Sequence, residues 1–174
     1  RYLPQFKISG LMDVNEDKAR NAWKDFNGDY YTTDLDRLLN DAEIDAVYIC
    51  THHDTHVPIG VKAAEAGKDI FMEKPLALTI RECEKMEKTV EETEIKFMVG
   101  FTQRFSMLSQ KAKELVPNPS VTWGRQIQAK WADTSWAQDP IEGGGNVLST
   151  GCHTIDLLCW FNPSKPVEIH AEGG

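Results

Sequence analysis

Four groups of side chains in this sequence combine residue types at spacings that suit chemistry. The first is Glu73-Lys74-Pro75, which closes the apolar run Asp69-Ile70-Phe71-Met72. A run of that kind reads as a buried strand, and Thr79 with Glu82 three residues on marks a helix start soon after. A carboxylate and an ammonium therefore stand at the carboxyl end of a strand, the edge where open α/β sheets bind ligands. The tripeptide also suits a surface ion pair beside a strand-ending proline. The second group is Ser149, His153 and Asp156, spaced four and three residues apart on one face of a late helix. Leu148, Cys152, Ile155 and Cys159 make an apolar stripe beside them. An imidazole with a carboxylate one turn on can act as a general base with an orienting partner. It can equally be a core histidine bonded to a backbone carbonyl.

The third is Asp13, at the end of a strand-like run over Phe6–Val14. A carboxylate there can accept hydrogen bonds from both ribose hydroxyls of an adenosine and repel a 2′-phosphate, which favours NAD over NADP. Its other reading is a neighbour of a helix cap at Asn15. The fourth is the loop Thr51-His52-His53-Asp54-Thr55-His56. His52 and His56 have the i, i+4 spacing of a metal pair, but no carboxylate or cysteine of matching spacing completes it, so no metal site is expected. A hydroxyl and imidazoles at a strand end suit a dinucleotide better.

The elements that position these groups alternate. After Phe6–Val14, Asn15 caps a helix to about Phe26, with Ala19, Ala22, Trp23 and Phe26 inward and Asn27-Gly28 as its stop. Asp34 starts a short helix. Ile44–Cys50 is nearly all apolar, as for a parallel strand covered on both faces. Helix Thr55–Ala66 closes on Gly67, the Phe71 strand follows, then helix Thr79–Glu92 and strand Lys96–Gly100. Repeated strand–helix units mean a parallel sheet with helices on both faces. After Arg104 the pattern changes to a helix over Ser106–Val116, a period-2 strand within Val121–Ser135, a Gly143-Gly144-Gly145 loop, a helix over Asn146–Phe161 and a strand from Val167 to Ala171. The expected fold is α/β: a Rossmann-type domain over residues 1–103, then the start of an α+β domain over residues 104–174 with an open, mostly antiparallel sheet.

A formal charge of -8 over 174 residues, with no basic run, argues against nucleic acid as the main partner. No apolar stretch reaches membrane-span length, so no membrane partner is expected. Cys50, Cys83, Cys152 and Cys159 have no CxxC spacing and read as small core residues in a reducing, cytoplasmic compartment. The chain opens at Arg1 almost directly into a strand and stops at Gly173-Gly174 after another, so a part of a longer protein is expected.

Together these motifs resemble the Gfo/Idh/MocA family of NAD(P)-dependent oxidoreductases. The resemblance rests on Ala46-Val47-Tyr48-Ile49-Cys50-Thr51, then His56, Ala63, Gly67-Lys68 and Glu73-Lys74-Pro75-Leu76-Ala77. It continues in Phe97-Met98-Val99-Gly100-Phe101 with Arg104-Phe105, and in Gly143-Gly144-Gly145 followed by Gly151, His153 and Asp156-Leu157. It implies a nicotinamide cofactor, NAD rather than NADP, and a sugar or polyol substrate. Lys74 would lie beside the nicotinamide and the reacting carbinol, and His153 would take the hydroxyl proton. Thr51, His53, His56, Glu73 and Arg104 match positions that line the cofactor, and Ser149 and Asp156 flank the substrate. The Lys74-Pro75 bond is a candidate cis peptide. A homo-oligomer through the second domain's sheet is expected. Two departures stand out. No G-x-G-x-x-G turn precedes Asp13, so the first strand and the pyrophosphate site are expected to be missing and the chain to bind a dinucleotide poorly. Where polyol-oxidising relatives carry an aspartate four residues before the histidine, this chain has Ser149. Two other activities stay open: a glycoside hydrolase that oxidises carbon 3 transiently, and a non-catalytic regulator that binds NAD or a sugar.

Overall fold

Five short strands, all paired in parallel, frame the described part of the chain, which is residues 5–127, 129, 132 and 135–172 of a computed structural model. β1 (Gly10–Met12) pairs with β2 (Tyr30–Thr32), while β3 (Ala46–Ile49), β4 (Asp69–Met72) and β5 (Phe97–Val99) pair in that order. Parallel neighbours need crossovers, supplied by α1 (Glu16–Phe26), α3 (His56–Glu65) and α4 (Ile80–Thr93). The short α2 (Leu35–Leu39) links the two sheets. The helix ends obey local chemistry. The Asn15 side chain accepts from Lys18 N at 3.0 Å, ahead of Glu16 and Asp17 in the first turn of α1. Thr79 and Glu82 form a reciprocal capping box on α4. Asn27 ends α1 in the left-handed region.

The register explains the core. Ile49, Met72 and Val99 form one cross-strand row, and Val47, Ile70 and Phe97 another. These rows face α3 and α4, where Met72 and Met86 are fully buried. Gly60 lets α3 approach closely, since a Cβ there would stand 2.6 Å from Met72 Cε. The alternate row, Tyr48, Phe71 and Met98, points the other way; Tyr48 is 58% and Met98 41% exposed. The expectation that β3 is covered on both faces is thus corrected: among the described residues its second face is open. The strand expected over Phe6–Val14 shortens to three residues, and β2 was not foreseen, because a three-residue run is too short to show period 2.

The second segment holds α5 (Met107–Leu115), capped by Ser106, and α6 (Cys152–Phe161), which is entered through a π-turn at Val147–Gly151. The strand expected within Val121–Ser135 falls partly on residues 128, 130, 131, 133 and 134, outside the described residues. The described residues of that stretch, and of Val167–Ala171, form no strand. A strand is defined by a hydrogen-bonded neighbour, and neither stretch has one among the described residues. The open antiparallel sheet expected here is not formed among the described residues. The stripe on α6 is also only partly covered, with Ile155 54% exposed and Cys159 exposed. Among the described residues, no helix is long and apolar enough to cross a membrane.

Candidate active site

The carboxyl ends of the parallel strands carry most of the candidate groups: Asp13 after β1, Thr51 after β3, Glu73-Lys74 after β4 and Arg104 beyond β5. The Lys74-Pro75 peptide is cis, as expected. Glu73 is fixed on two sides. Its Oε1 accepts from Tyr48 Oη at 2.7 Å and its Oε2 from Lys74 N at 3.2 Å. Burial and that bond to a carboxylate hold the Tyr48 phenol well above its usual range, so it stays a donor. Lys74 Nζ reaches across to the π-turn and donates to Ser149 O at 2.8 Å. Carbonyls splay where a helix departs from regular bonding, which leaves them open to side-chain donors.

His153 begins one turn beyond that carbonyl, half-buried, with the edge of its ring against Phe101 at 6.2 Å between centroids. Its Nδ1 is buried and has no hydrogen-bond partner. Burial, and then the charge of Lys74, push its pKa below the usual histidine range, against smaller opposing effects of Glu73 and Asp156. A neutral imidazole beside an ammonium is an acid–base pair with the base already free of its proton.

The other expected site residues each have contacts within the protein. Asp156 does not orient His153: Arg104 Nε donates to its Oδ2 at 2.7 Å and Arg104 Nη2 to its Oδ1, a two-pronged ion pair. An always-charged planar fork outcompetes an imidazole for a carboxylate. Arg104, expected on the cofactor, is thus engaged with the late helix. Ser149 is 3% exposed with its Oγ turned to Thr150 Oγ1 at 3.5 Å, and it is its carbonyl that meets Lys74. His56 is fully buried, with Nδ1 2.8 Å from Pro75 O and Nε2 3.2 Å from Thr51 O. It braces the turn that carries Lys74 against the loop after β3. His53 is also inside, its Nδ1 2.9 Å from Gly143 O and its pKa lowered by burial. Thr51 remains exposed, its Oγ1 accepting from Thr55 Oγ1 at 2.7 Å. Asp13 Oδ1 accepts from Asn15 N at 2.8 Å, so the carboxylate does serve the helix entry.

Tyr48, Trp136 and Glu142 had not been singled out. Trp136 stacks on His52 at 4.4 Å and meets His53 edge-on, and Glu142 pairs with His52 at 3.1 Å. Tyr48 could have been found from its phase: it lies in an apolar strand, out of step with Val47 and Ile49. Nothing local marks Trp136. Gly144 and Gly145 sit at φ 71° and 81°, where only glycine is at ease, and hold this loop against the first segment.

The groups present suit the two ends of a nicotinamide dinucleotide laid along the strands' carboxyl edge, while no G-x-G-x-x-G turn for its pyrophosphate lies between Arg1 and Asp13. Asp13 is an acceptor suited to ribose hydroxyls at one end, and Glu73, Lys74 and His153 are polar groups converging at the other. Among the described residues, no group of three or more histidine, cysteine, aspartate or glutamate side chains could hold a metal ion.

Comparison with known proteins identifies the family of the chain. A family model described as "Oxidoreductase family, NAD-binding Rossmann fold" matches residues 1–101. The scyllo-inositol 2-dehydrogenase (NAD(+)) of Bacillus subtilis is 30% identical over 98% of this chain and 51% of its own length. The myo-inositol 2-dehydrogenase of Thermotoga maritima is 26% identical over 95% of this chain and 50% of its own. The crystal structure of an oxidoreductase domain protein from Kribbella flavida superposes with a TM-score of 0.80 at 29% identity, covering 90% of this chain and 45% of that one. The chain spans about half the length of the curated relatives it matches.

Proposed function

Because the chain belongs to the Gfo/Idh/MocA family of NAD-binding oxidoreductases, we propose that its protein transfers a hydride between a nicotinamide cofactor and a carbinol of a sugar or polyol. The observation that carries this reading is the meeting of Lys74, from the end of β4, with the turn that leads into His153. An alcohol can release hydride only as its hydroxyl proton is removed, so a base and an oxygen-positioning donor must flank one hydroxyl. His153, unprotonated near neutral pH, takes that proton. Lys74 donates to the same oxygen, exchanging its bond to the Ser149 carbonyl for one to substrate. Glu73, pinned by Tyr48, fixes the backbone of Lys74. When bound, the nicotinamide supplies the hydride acceptor. Asp13 favours NAD, since a 2′-phosphate would meet its carboxylate. Four free thiols suit a cytoplasmic setting.

The test is a panel of sugars, inositols and glycosides with the full-length protein, read by NADH absorbance and by aglycone release. Accumulating NADH is the expected result. Aglycone release without net NADH would replace this reading with a redox-assisted hydrolase. NAD binding with neither product across the panel would leave a regulator.

A further inference from the structure

We propose that Arg104 is a positioning residue that withholds the Asp156 carboxylate from the imidazole of His153. Asp156 lies three residues after His153 on α6, so the two side chains are neighbours on the helix surface. A free carboxylate at that spacing finds an imidazole N–H within reach, and here Nδ1 is buried and unpartnered. The bond is not made, because Arg104 grips both carboxylate oxygens from the segment after β5. The Asp156 side chain is only 9% exposed, so it cannot turn to water instead. Arg104 is itself anchored: its carbonyl accepts from Gln110 Nε2 at 2.6 Å, and its guanidinium lies over the Phe101 ring at 5.8 Å. Phe101 also meets His153, so one ring lies against both the guanidinium and the imidazole.

The groups facing His153 are Lys74 and Glu73 from the turn after β4, Phe101 from the segment after β5, and Asp156 on its own helix. Of the two carboxylates, Glu73 is already engaged by Tyr48 Oη and Lys74 N, whereas Asp156, one turn along the same helix, could hydrogen-bond the orphaned nitrogen and stabilise an imidazolium in the way a buried aspartate does in a hydrolase triad. Without a carboxylate on that nitrogen the ring stays unprotonated near neutral pH, and so is free to take a proton when substrate arrives. Loss of Arg104 would leave a buried carboxylate without a counter-charge, and the imidazolium of His153 is the nearest replacement.

The inference takes from the proposed function only the catalytic use of His153; the titration of its ring is independent of it. In the full-length protein, the His153 ring is followed by NMR against pH and identified by its loss in His153→Asn. Arg104→Gln should raise its midpoint by roughly 1–3 pH units, the usual effect of an opposite charge at contact. Arg104→Gln combined with Asp156→Asn should restore it, and Arg104→Lys, a charge without the fork, should give a smaller rise. The acid limb of kcat/KM should move with the midpoint. An unmoved midpoint in Arg104→Gln overturns the proposal. So does a strong fall in Asp156→Asn alone, which would mean that the carboxylate already serves His153. Should Arg104→Gln fail to fold, Arg104→Lys and Asp156→Asn decide alone. A moved midpoint with an unmoved rate profile would uphold Arg104's role and refute His153 as the base.

Discussion

At the scale of single residues, the proposed reaction asks for one base and one donor, the roles proposed for His153 and Lys74. His153→Asn in the full-length enzyme should lower kcat by roughly 10²–10⁴-fold, the usual worth of a positioned base. Lys74→Met should impair both kcat and KM. It should also move the acid limb of kcat/KM to higher pH. Burial and then the Lys74 charge depress the histidine, activity is lost as pH falls through its pKa, and removing the charge lets that pKa rise. A limb that stays in place would separate Lys74 from the base. Asp13→Ser should narrow the preference for NAD over NADP in isothermal titration; tighter NADP binding by the parent protein would refute the assignment of Asp13. Lys74 and His153 were legible as residues because their types are rare at such places. Their company was not. The partner of Asp156 is Arg104, 52 residues away, and no spacing within a helix can announce it.

At the scale of elements, legibility followed the reach of the interactions. The capping box of α4 and the left-handed stop of α1 are made by residues a few positions apart, and the sequence shows them. Thr79→Ala should accordingly cost about 1 kcal/mol, measured as a shift of the denaturant midpoint at constant slope. A change near zero would mean that tertiary packing alone sets the start of α4. Met86, fully buried against α3, has no such local signature beyond helical phase, and Met86→Ala should cost about 2–5 kcal/mol. The three-residue β2 and the π-turn before α6 were invisible for the opposite reason. Each is decided by what packs against it, not by its own few residues.

At the scale of the molecule, two imidazoles drawn at least partly out of water couple acidity to stability. His53 and His153 are both held below the usual histidine range, chiefly because burial disfavours the charged ring. The unfolded chain therefore takes up protons first. Stability should be flat above about pH 6.5 and fall as pH drops through that value toward the folded pKa values. Asp41 and Asp69 are lowered instead, chiefly by backbone N–H donors. Their contribution is complete above about pH 4 and lost only below it. A lower Tm at pH 5 than at pH 7.5, with the difference reduced in His53→Asn, is the expected result; equal values would show that neither ring is desolvated in the folded state.

The π-turn at Val147–Gly151 makes the site depend on arithmetic as well as on chemistry. A turn closed over one extra residue shifts the phase of everything before it relative to α6 by about 100°, the rotation per residue of an α-helix. Deleting Thr150 would let the helix close in regular register without removing any group that touches Lys74 or His153. It would swing the Ser149 carbonyl away from the lysine all the same. Such a deletion should fold nearly as well as the parent and yet lose far more turnover than Thr150→Ala, since the count of residues between the Ser149 carbonyl and His153, and not their identity, sets the phase of the one against the other.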